Sequence, residues 1–165
     1  MRGYWQNPAA TAEAIQDGWF HTGDIGAIDE DGFISITGRK KELIVTAGGK
    51  NVAPAPMEDP LRADPLIGQA VVIGDNRPFV SAIISLDAEM LPLWLASHNL
   101  DKTLTLEQAT QNPQVIAAIQ AAVDRVNKTV SQAEEIKKFV IVDQELSEAS
   151  GHLTPSLKIK RNVVV

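Results

Sequence analysis

Two nearly continuous apolar runs, at residues 69–73 and 79–86, constrain the fold of this chain most strongly. A short segment at residues 74–78, made of turn-forming residue types, joins them. Runs of this length without regular polar alternation are typical of strands buried on both faces. We therefore predict that both runs are central strands of one sheet.

A long amphipathic helix is predicted at residues 113–130. Asn112 can cap its first turn, and Pro113 suits the first helical position. Apolar side chains then recur every three or four residues, so that one stripe can pack on the sheet: Val115, Ile119, Ala122, Val126 and Val130. Shorter helices are predicted at residues 9–16, 56–63 and 89–98, with a capping box at residues 105–108 and a last strand at residues 139–142.

The N-terminal part of the chain carries a hairpin signal. The pair Asp31-Gly32 separates β-rich runs at residues 25–28 and 33–37, and such a pair favours a tight turn. A short strand is predicted at residues 42–46. The order of elements predicts an α+β fold, a small layered domain with an N-terminal β-hairpin and a central, short, mostly antiparallel sheet flanked by helices. The polar tail at residues 147–165 is predicted to be mobile.

Composition and charge exclude several kinds of site. The chain has no cysteine, which excludes disulfides, thiol catalysis and zinc–thiolate sites and favours a reducing, cytoplasmic location. Its three histidines lack metal-ligand spacing, so no metal site is predicted. The formal net charge of −6 disfavours nucleic acid as a partner. No run reaches the roughly 18 apolar residues that a membrane-spanning helix needs.

Three polar segments carry candidate chemistry. In residues 21–24 a Thr-Gly turn presents Asp24, whose carboxylate can accept hydrogen bonds from the vicinal hydroxyls of a ribose. Residues 38–41 place three cations in succession. Residues 154–161 carry Lys158 in a polar segment, where its ammonium can neutralise a carboxylate or a phosphate. Taken singly, each segment has a simpler interpretation: a turn residue, a solvated connector and a basic tail.

Taken together and in this order, the segments resemble the adenylate-forming superfamily of acyl-CoA synthetases, luciferases and peptide-synthetase adenylation domains. Residues 18–24 (GWFHTGD) are similar to the stretch that closes the large N-terminal domain, and residues 38–44 (GRKKELI) to the hinge motif. Residues 49–54 (GKNVAP), followed by Glu58, resemble the loop after the hinge. Residues 154–161 (TPSLKIKR) look like the final motif of the long-chain fatty acyl branch. The resemblance is to the C-terminal lid domain of a bacterial long-chain-fatty-acid–CoA ligase.

The resemblance implies roles for residues near the hinge. Asp24 would hold the ribose hydroxyls of ATP, and Arg39 would contact the ribose or the phosphates of the nucleotide. Lys41 matches the pivot about which the lid rotates. Residues 1–38 would then be the end of the N-terminal domain with a linker hairpin, and residues 39–165 would be the lid domain.

The resemblance also implies roles for two loops of the lid. Gly48, Gly49 and Lys50 would belong to the loop that binds CoA and lines the pantetheine channel. Lys158 matches the catalytic lysine that bridges the acyl carboxylate and the α-phosphate. Leu157 departs from the pattern, because many relatives have Gly at this position, and this puts the flexibility of the loop in question.

ATP, CoA and Mg²⁺ are the implied cofactors, and fatty acid, ATP and CoA the implied substrates. All of them would require the chain's own N-terminal domain as a partner, because the family's phosphate loop, acyl pocket and magnesium-binding glutamate lie there. The chain alone is therefore expected to be inactive, with Trp5 and Trp19 exposed where they would pack against that domain. Peripheral membrane association of the whole enzyme is compatible with this interpretation. Two alternatives remain open: a stand-alone nucleotide- or CoA-binding domain, and an interaction domain whose motif residues have no catalytic role.

Overall fold

The structure, a computed structural model, describes residues 1–164. The chain divides into two compact units, unit 1 from Met1 to Leu43 and unit 2 from Ile44 to Val165. Val165, the last residue of the predicted lid and tail, lies outside the described residues. The functional boundary predicted after residue 38 stays a prediction, and it falls near the end of a strand of unit 1.

Unit 1 begins with a short helix and a two-residue hairpin. Helix α1 (Pro8–Ala14) starts after Asn7, whose side chain accepts a hydrogen bond from the Ala10 N–H (3.0 Å). Strands β1 (Ile15–Gln16) and β2 (Trp19–Phe20) then pair antiparallel. The prediction of helix through residue 16 is wrong for its last two residues, because Asp17 and Gly18 form a turn with positive φ at both positions (51° and 82°).

The predicted β-hairpin is confirmed in unit 1. Strand β3 (Asp24–Ile28) pairs antiparallel with β4 (Ile34–Arg39), with an irregular register between Ile25 and Gly26. Asp29 closes the turn, because its side chain accepts hydrogen bonds from the N–H groups of Phe33 (2.8 Å) and Asp31 (3.1 Å). A 3-10 turn, Lys40–Glu42, follows β4.

No residue of unit 1, all of whose residues the structure describes, is fully buried. Its aromatic side chains are conspicuous, since Trp5 is 89% exposed and Trp19 is 77% exposed. The predicted exposure of these two tryptophans is therefore confirmed.

Unit 2 begins with a short antiparallel pair, β5 (Ile44–Val45) and β6 (Asn51–Val52). The strand predicted at residues 42–46 is shorter in the structure, because Glu42 belongs to the 3-10 turn and Thr46 already begins the loop. Helix α2 (Ala55–Arg62) confirms the predicted helix at residues 56–63, and it buries Met57, Glu58 and Leu61.

A three-stranded sheet forms the centre of unit 2, in the order β7 (Ile67–Ile73), β8 (Val80–Leu86) and β9 (Ile136–Val142). Strand β8 pairs antiparallel with β7 and parallel with β9. The prediction of a central position holds for β8 but is wrong for β7, which is an edge strand. The continuous apolar pattern of β7 is explained by α2, which packs against this strand. At the open edge of β7, side chains in place of a further strand satisfy backbone groups.

The parallel connection from β8 to β9 contains three helices: α3 (Leu91–Ser97), α4 (Leu106–Thr110) and α5 (Pro113–Asn127). The capping box of α4 and the Asn112 cap of α5 are present as predicted. The apolar stripe of α5 is buried up to Val126, whereas Val130 lies beyond the helix end. A last short helix, α6 (Arg161–Val164), lies in the tail. The observed architecture is the predicted α+β class.

The core of unit 2 lies between the sheet and its helices. Its largest fully buried side chains come from β6, α2, the central sheet, α3 and α5, and from Leu66 directly before β7: Val52, Met57, Leu61, Leu66, Val71, Val72, Val80, Ile84, Leu86, Leu95, Val115 and Ile119. Within residues 1–164, the helices are too short or too polar for any of them to cross a membrane.

Candidate functional site

In unit 1 the structure brings together two residues that are predicted to bind the nucleotide. Asp24 opens β3, Arg39 ends β4, and the antiparallel register places them opposite each other. The Arg39 Nε lies 3.3 Å from the Asp24 Oδ1, and the arginine side chain is largely exposed. A carboxylate beside a guanidinium offers both an acceptor for hydroxyls and donors for phosphate oxygens.

Lys41, the predicted hinge, lies in the 3-10 turn at the end of the hairpin and is exposed. The Lys40 N–H donates a hydrogen bond to the Gly23 carbonyl (2.8 Å), which attaches the start of this turn to the residue before β3. The compact units divide two residues after Lys41, between Leu43 and Ile44. Hinges commonly occur at element ends of this kind, where a few residues absorb a large backbone change.

The predicted CoA loop of unit 2 joins β5 to β6 and is closed by Thr46. The Lys50 N–H donates to Thr46 Oγ1 (3.2 Å), and the Gly49 N–H donates to the Thr46 carbonyl (2.8 Å). Gly49 has a φ of +79°, a left-handed conformation that favours glycine. An added Cβ would meet nothing within 4 Å at Gly49, and at Gly48 only Thr46 Oγ1 at 3.9 Å. The loop therefore presents bare backbone that a ligand can approach closely.

The turn between β7 and β8 supports this loop. The Ala47 N–H donates to the Arg77 carbonyl (2.9 Å), and the Val45 N–H donates to Asp75 Oδ1 (3.1 Å). A return hydrogen bond runs from the Asn76 N–H to the Val45 carbonyl (2.8 Å). The loop is thus attached to the central sheet.

Lys50 has a partner that the sequence did not predict. Its Nζ lies 3.6 Å from Glu134 Oε1, just before β9. Glu134 also accepts hydrogen bonds from the hydroxyl (2.5 Å) and the N–H (3.1 Å) of Ser131. The Ser131 hydroxyl holds the pKa of Glu134 below its ordinary value of 4.5, with a smaller contribution from Lys50 and an opposing one from partial burial.

Lys158 lies at the tip of a small hairpin in the tail and is exposed, as predicted. Leu153 and Ile159 form an antiparallel bridge at its base. The Thr154 N–H donates to the Lys158 carbonyl (2.8 Å), and the Lys158 N–H donates to Thr154 Oγ1 (3.1 Å). Among residues 1–164, no carboxylate pairs with its ammonium. The side chain is therefore available to an anionic ligand.

Leu157, where many relatives of the resembled family have Gly, has a φ of +58°. This is the left-handed region that glycine adopts without a steric penalty, and the same conformation costs another residue about 1–2 kcal/mol. Leu157 thus keeps a glycine-like turn directly before Lys158, with its side chain 70% exposed.

The tail is attached to unit 2 on both sides of Lys158. Before it, Leu153 is buried, and after it the Arg161 guanidinium donates hydrogen bonds to both oxygens of Glu58 (2.6 Å each). Mobility of the intervening hairpin stays a prediction. Sequence reasoning did not find the pair of Glu58 and Arg161. The helical spacing of Glu58 and Leu61, which places both on the buried face of α2, was an available signal.

Magnesium, an implied cofactor, has no cluster of candidate protein ligands in the described residues. Residues 1–164 contain no group of three or more His, Asp or Glu side chains placed to hold a metal ion.

These features define a small α+β domain that carries an exposed lysine on a tail hairpin. The family model described as the AMP-binding enzyme C-terminal domain matches residues 41–165. The chain belongs to this family.

Among curated relatives, the long-chain-fatty-acid–CoA ligase FadD15 of Mycobacterium tuberculosis is 54% identical over 162 residues, covering 98% of this chain and 27% of the relative. The long-chain-fatty-acid–CoA ligase ACSBG2 of Gallus gallus is 40% identical, with 98% of this chain and 24% of the relative covered. The chain thus spans about a quarter of the length of these relatives.

The fold is also found in a solved structure. The adenylation domain of the carboxylate reductase from Mycobacterium chelonae superimposes with a TM-score of 0.74 at 23% identity, covering 98% of this chain and 24% of that one. At this identity the match shows the fold alone.

Proposed function

We propose that this chain is the C-terminal lid domain of an ATP-dependent long-chain-fatty-acid–CoA ligase. The whole enzyme would convert a fatty acid and ATP into an acyl-adenylate and pyrophosphate, and would then transfer the acyl group to the thiol of CoA, releasing AMP. The observation that carries the proposal is the position of Lys158, exposed at the tip of a tail hairpin in a chain that is 54% identical to a ligase of this class.

In the first step, the acyl carboxylate attacks the α-phosphate of ATP, so two anions must approach each other. An ammonium between them offsets their repulsion and stabilises the charge that develops in the transition state. Lys158 is the proposed source of that charge, and its hairpin fixes the backbone while leaving the ammonium free to reach the ligand.

In the second step, the CoA thiol must approach the acyl carbon that Lys158 faced before. We propose that rotation about Lys41 withdraws Lys158 and presents the loop with Gly48, Gly49 and Lys50. A lid that rotates about one hinge can offer two faces to one site. The bare backbone at Gly49 would leave room for the narrow pantetheine arm.

The other components are proposals as well. Asp24 and Arg39 would bind the ribose and phosphates of ATP from the hairpin of unit 1. Mg²⁺, the acyl pocket and the phosphate loop would be supplied by an N-terminal domain, and the exposed tryptophans of unit 1 support such a partner. The enzyme would be cytoplasmic, with peripheral membrane contact where its fatty-acid substrate partitions.

A domain replacement tests the proposed function. This chain would replace the corresponding 27% of the M. tuberculosis ligase FadD15, and the chimera would be assayed for acyl-CoA formation from fatty acid, ATP and CoA. We expect activity from the chimera and none from this chain alone. A well-folded chimera without either half-reaction would contradict the proposal, and would favour a binding or interaction domain.

A further inference from the structure

Glu58 is a buried carboxylate whose interactions converge on the tail. It lies on the buried face of α2 and is 4% exposed. Its Oε1 accepts a hydrogen bond from the Val72 N–H (2.7 Å), and both oxygens accept from Arg161 Nη2 (2.6 Å each). Arg62 lies further away, with Nη1 3.7 Å from Glu58 Oε2. Arg161 is therefore the main cation that compensates this buried charge.

Glu58 and Arg161 together bind the backbone of one residue in the edge strand β7. Val72 lies in β7, whose other edge pairs with β8. Glu58 accepts from the Val72 N–H, and Arg161 Nη1 donates to the Val72 carbonyl (3.1 Å). Both polar groups of this residue are thus satisfied by the pair, which attaches the tail to the sheet at a defined point.

We infer that Glu58 is a positioning residue for adenylation, acting through Arg161 on Lys158. The inference rests on the proposed function of Lys158. Arg161 follows Lys158 by three residues, and a chain of that length spans at most about 10 Å. Fixing the arginine to β7 therefore limits how far the lysine backbone can move relative to unit 2, and the bridge between Leu153 and Ile159, which flanks Lys158, restricts it further.

Confinement of this kind matters for the first half-reaction. Lys158 must meet two anions at once, and a misplacement of about 1 Å can reduce a rate on the order of a hundredfold. The second half-reaction, in which Lys158 has been withdrawn, has no such requirement. The inference thus predicts that loss of the pair acts selectively, whereas a merely stabilising pair would affect both half-reactions alike.

The test uses three variants of the chimera described above. Glu58→Gln removes the charge but keeps an oxygen that can accept from Val72, and Arg161→Gln removes the cation. Arg125→Gln is the matched control, because Arg125 Nη2 pairs with Asp64 Oδ2 (2.7 Å) in the same unit without contacting the tail. Each variant is assayed for acyl-adenylate formation and, separately, for transfer from preformed acyl-adenylate to CoA. Amide hydrogen exchange of residues 153–160 reports how firmly the tail is attached.

We expect Glu58→Gln and Arg161→Gln to raise tail exchange about tenfold or more, because charged hydrogen bonds are lost. We expect the kcat of adenylate formation to fall on the order of a hundredfold, with the KM for ATP and the transfer step nearly unchanged. Arg125→Gln should change none of these. Unchanged adenylation in both variants, or equal loss of both half-reactions, would overturn the inference.

Two further variants, a double substitution of the pair and Lys158→Ala, resolve the cases in which the single variants alone would be ambiguous. If a single variant unfolds because a buried charge lacks its partner, the double variant Glu58→Gln/Arg161→Gln removes both charges and is assayed in its place. Lys158→Ala separates the inference from the proposed function. If Lys158→Ala abolishes adenylation and the pair variants do not impair it, the positioning role fails alone. If Lys158→Ala leaves adenylation intact, the proposed function fails.

Discussion

Asp24 and Arg39 face each other across the last register pair of the hairpin, with the Arg39 Nε 3.3 Å from the Asp24 Oδ1. The pair joins the start of β3 to the end of β4, and the predicted hinge residue follows β4. An exposed ion pair of this kind contributes little to stability, about 0–1 kcal/mol. The pair is thus a minor contributor to stability, and the nucleotide contacts of Asp24 and Arg39 stay a prediction.

Arg39→Ala should separate stability from nucleotide binding. We expect the free energy of unfolding to change by less than about 1 kcal/mol, because the side chain is exposed. In the chimera, the KM for ATP should rise about tenfold or more, since a charge-assisted hydrogen bond is lost. Chemical denaturation and initial-rate kinetics measure the two effects, with Arg125→Ala as control. An unchanged KM would argue against a nucleotide contact.

Two neighbouring glycines should respond differently to substitution. Gly49→Ala places a Cβ on a backbone with φ +79° and should lower the free energy of unfolding by about 1–2 kcal/mol. Gly48→Ala lacks this strain and should have a much smaller effect. Equal effects, measured by chemical denaturation, would contradict the loop conformation described.

Bulk at Gly49 tests the proposed thiol channel. Gly49→Trp in the chimera should reduce transfer from acyl-adenylate to CoA and leave adenylate formation nearly unchanged, because the two steps use different faces of the lid. Gly49→Ala carries the same backbone strain without the bulk and serves as the control. Loss of adenylation with Gly49→Trp but not Gly49→Ala would place the loop elsewhere in the mechanism.

Leu157→Gly should stabilise the tail hairpin relative to Leu157→Ala. Alanine keeps the penalty of the left-handed backbone, about 1–2 kcal/mol, whereas glycine removes it and has an entropic cost of about 0.5–1 kcal/mol. The local difference is therefore about 0–1.5 kcal/mol in favour of glycine. Hydrogen exchange of the Leu157 and Lys160 amides measures it. Faster exchange with glycine than with alanine would contradict a left-handed Leu157.

Glu134 predicts a pH dependence of stability. Its pKa is lowered in the folded chain, chiefly by the Ser131 hydroxyl, so its contribution is present above the ordinary value of 4.5 and is lost as the pH falls through the lower, folded-state value. Glu134→Gln should therefore reduce stability at neutral pH by up to about 1 kcal/mol. The difference should vanish in acid. A difference that grows on acidification, seen in denaturation at several pH values, would reverse the assigned sign.

Elements with local signals could be predicted from the sequence. The Asn112 cap and regular apolar spacing located α5, and Asp31-Gly32 located the hairpin turn. The same signal at Asp17-Gly18 would have corrected the end of α1. The edge position of β7 could not be read locally, because the groups that cover it, Glu58 and Arg161, are 103 residues apart in the chain.

The same distinction between local signals and contacts of distant residues applies to the candidate site. The exposure of Lys158 followed from its polar tail, and the open backbone of the glycine loop followed from residue type. Two features did not follow from the sequence, because both depend on the folded path of the chain: the pairing of Lys50 with Glu134 and the left-handed φ of Leu157. The motifs thus predict which residues act, and the structure shows which contacts hold those residues in place.

The central claim concerns Lys158, and its substitution in the chimera is the most direct measurement. Lys158→Ala should slow acyl-adenylate formation by about a hundredfold to a thousandfold, the cost of losing one preorganised electrostatic contact. Transfer from preformed acyl-adenylate to CoA should stay nearly unchanged, and Lys160→Ala should affect neither step strongly. Equal slowing of both half-reactions by Lys158→Ala, or normal adenylate formation without this lysine, would contradict the account.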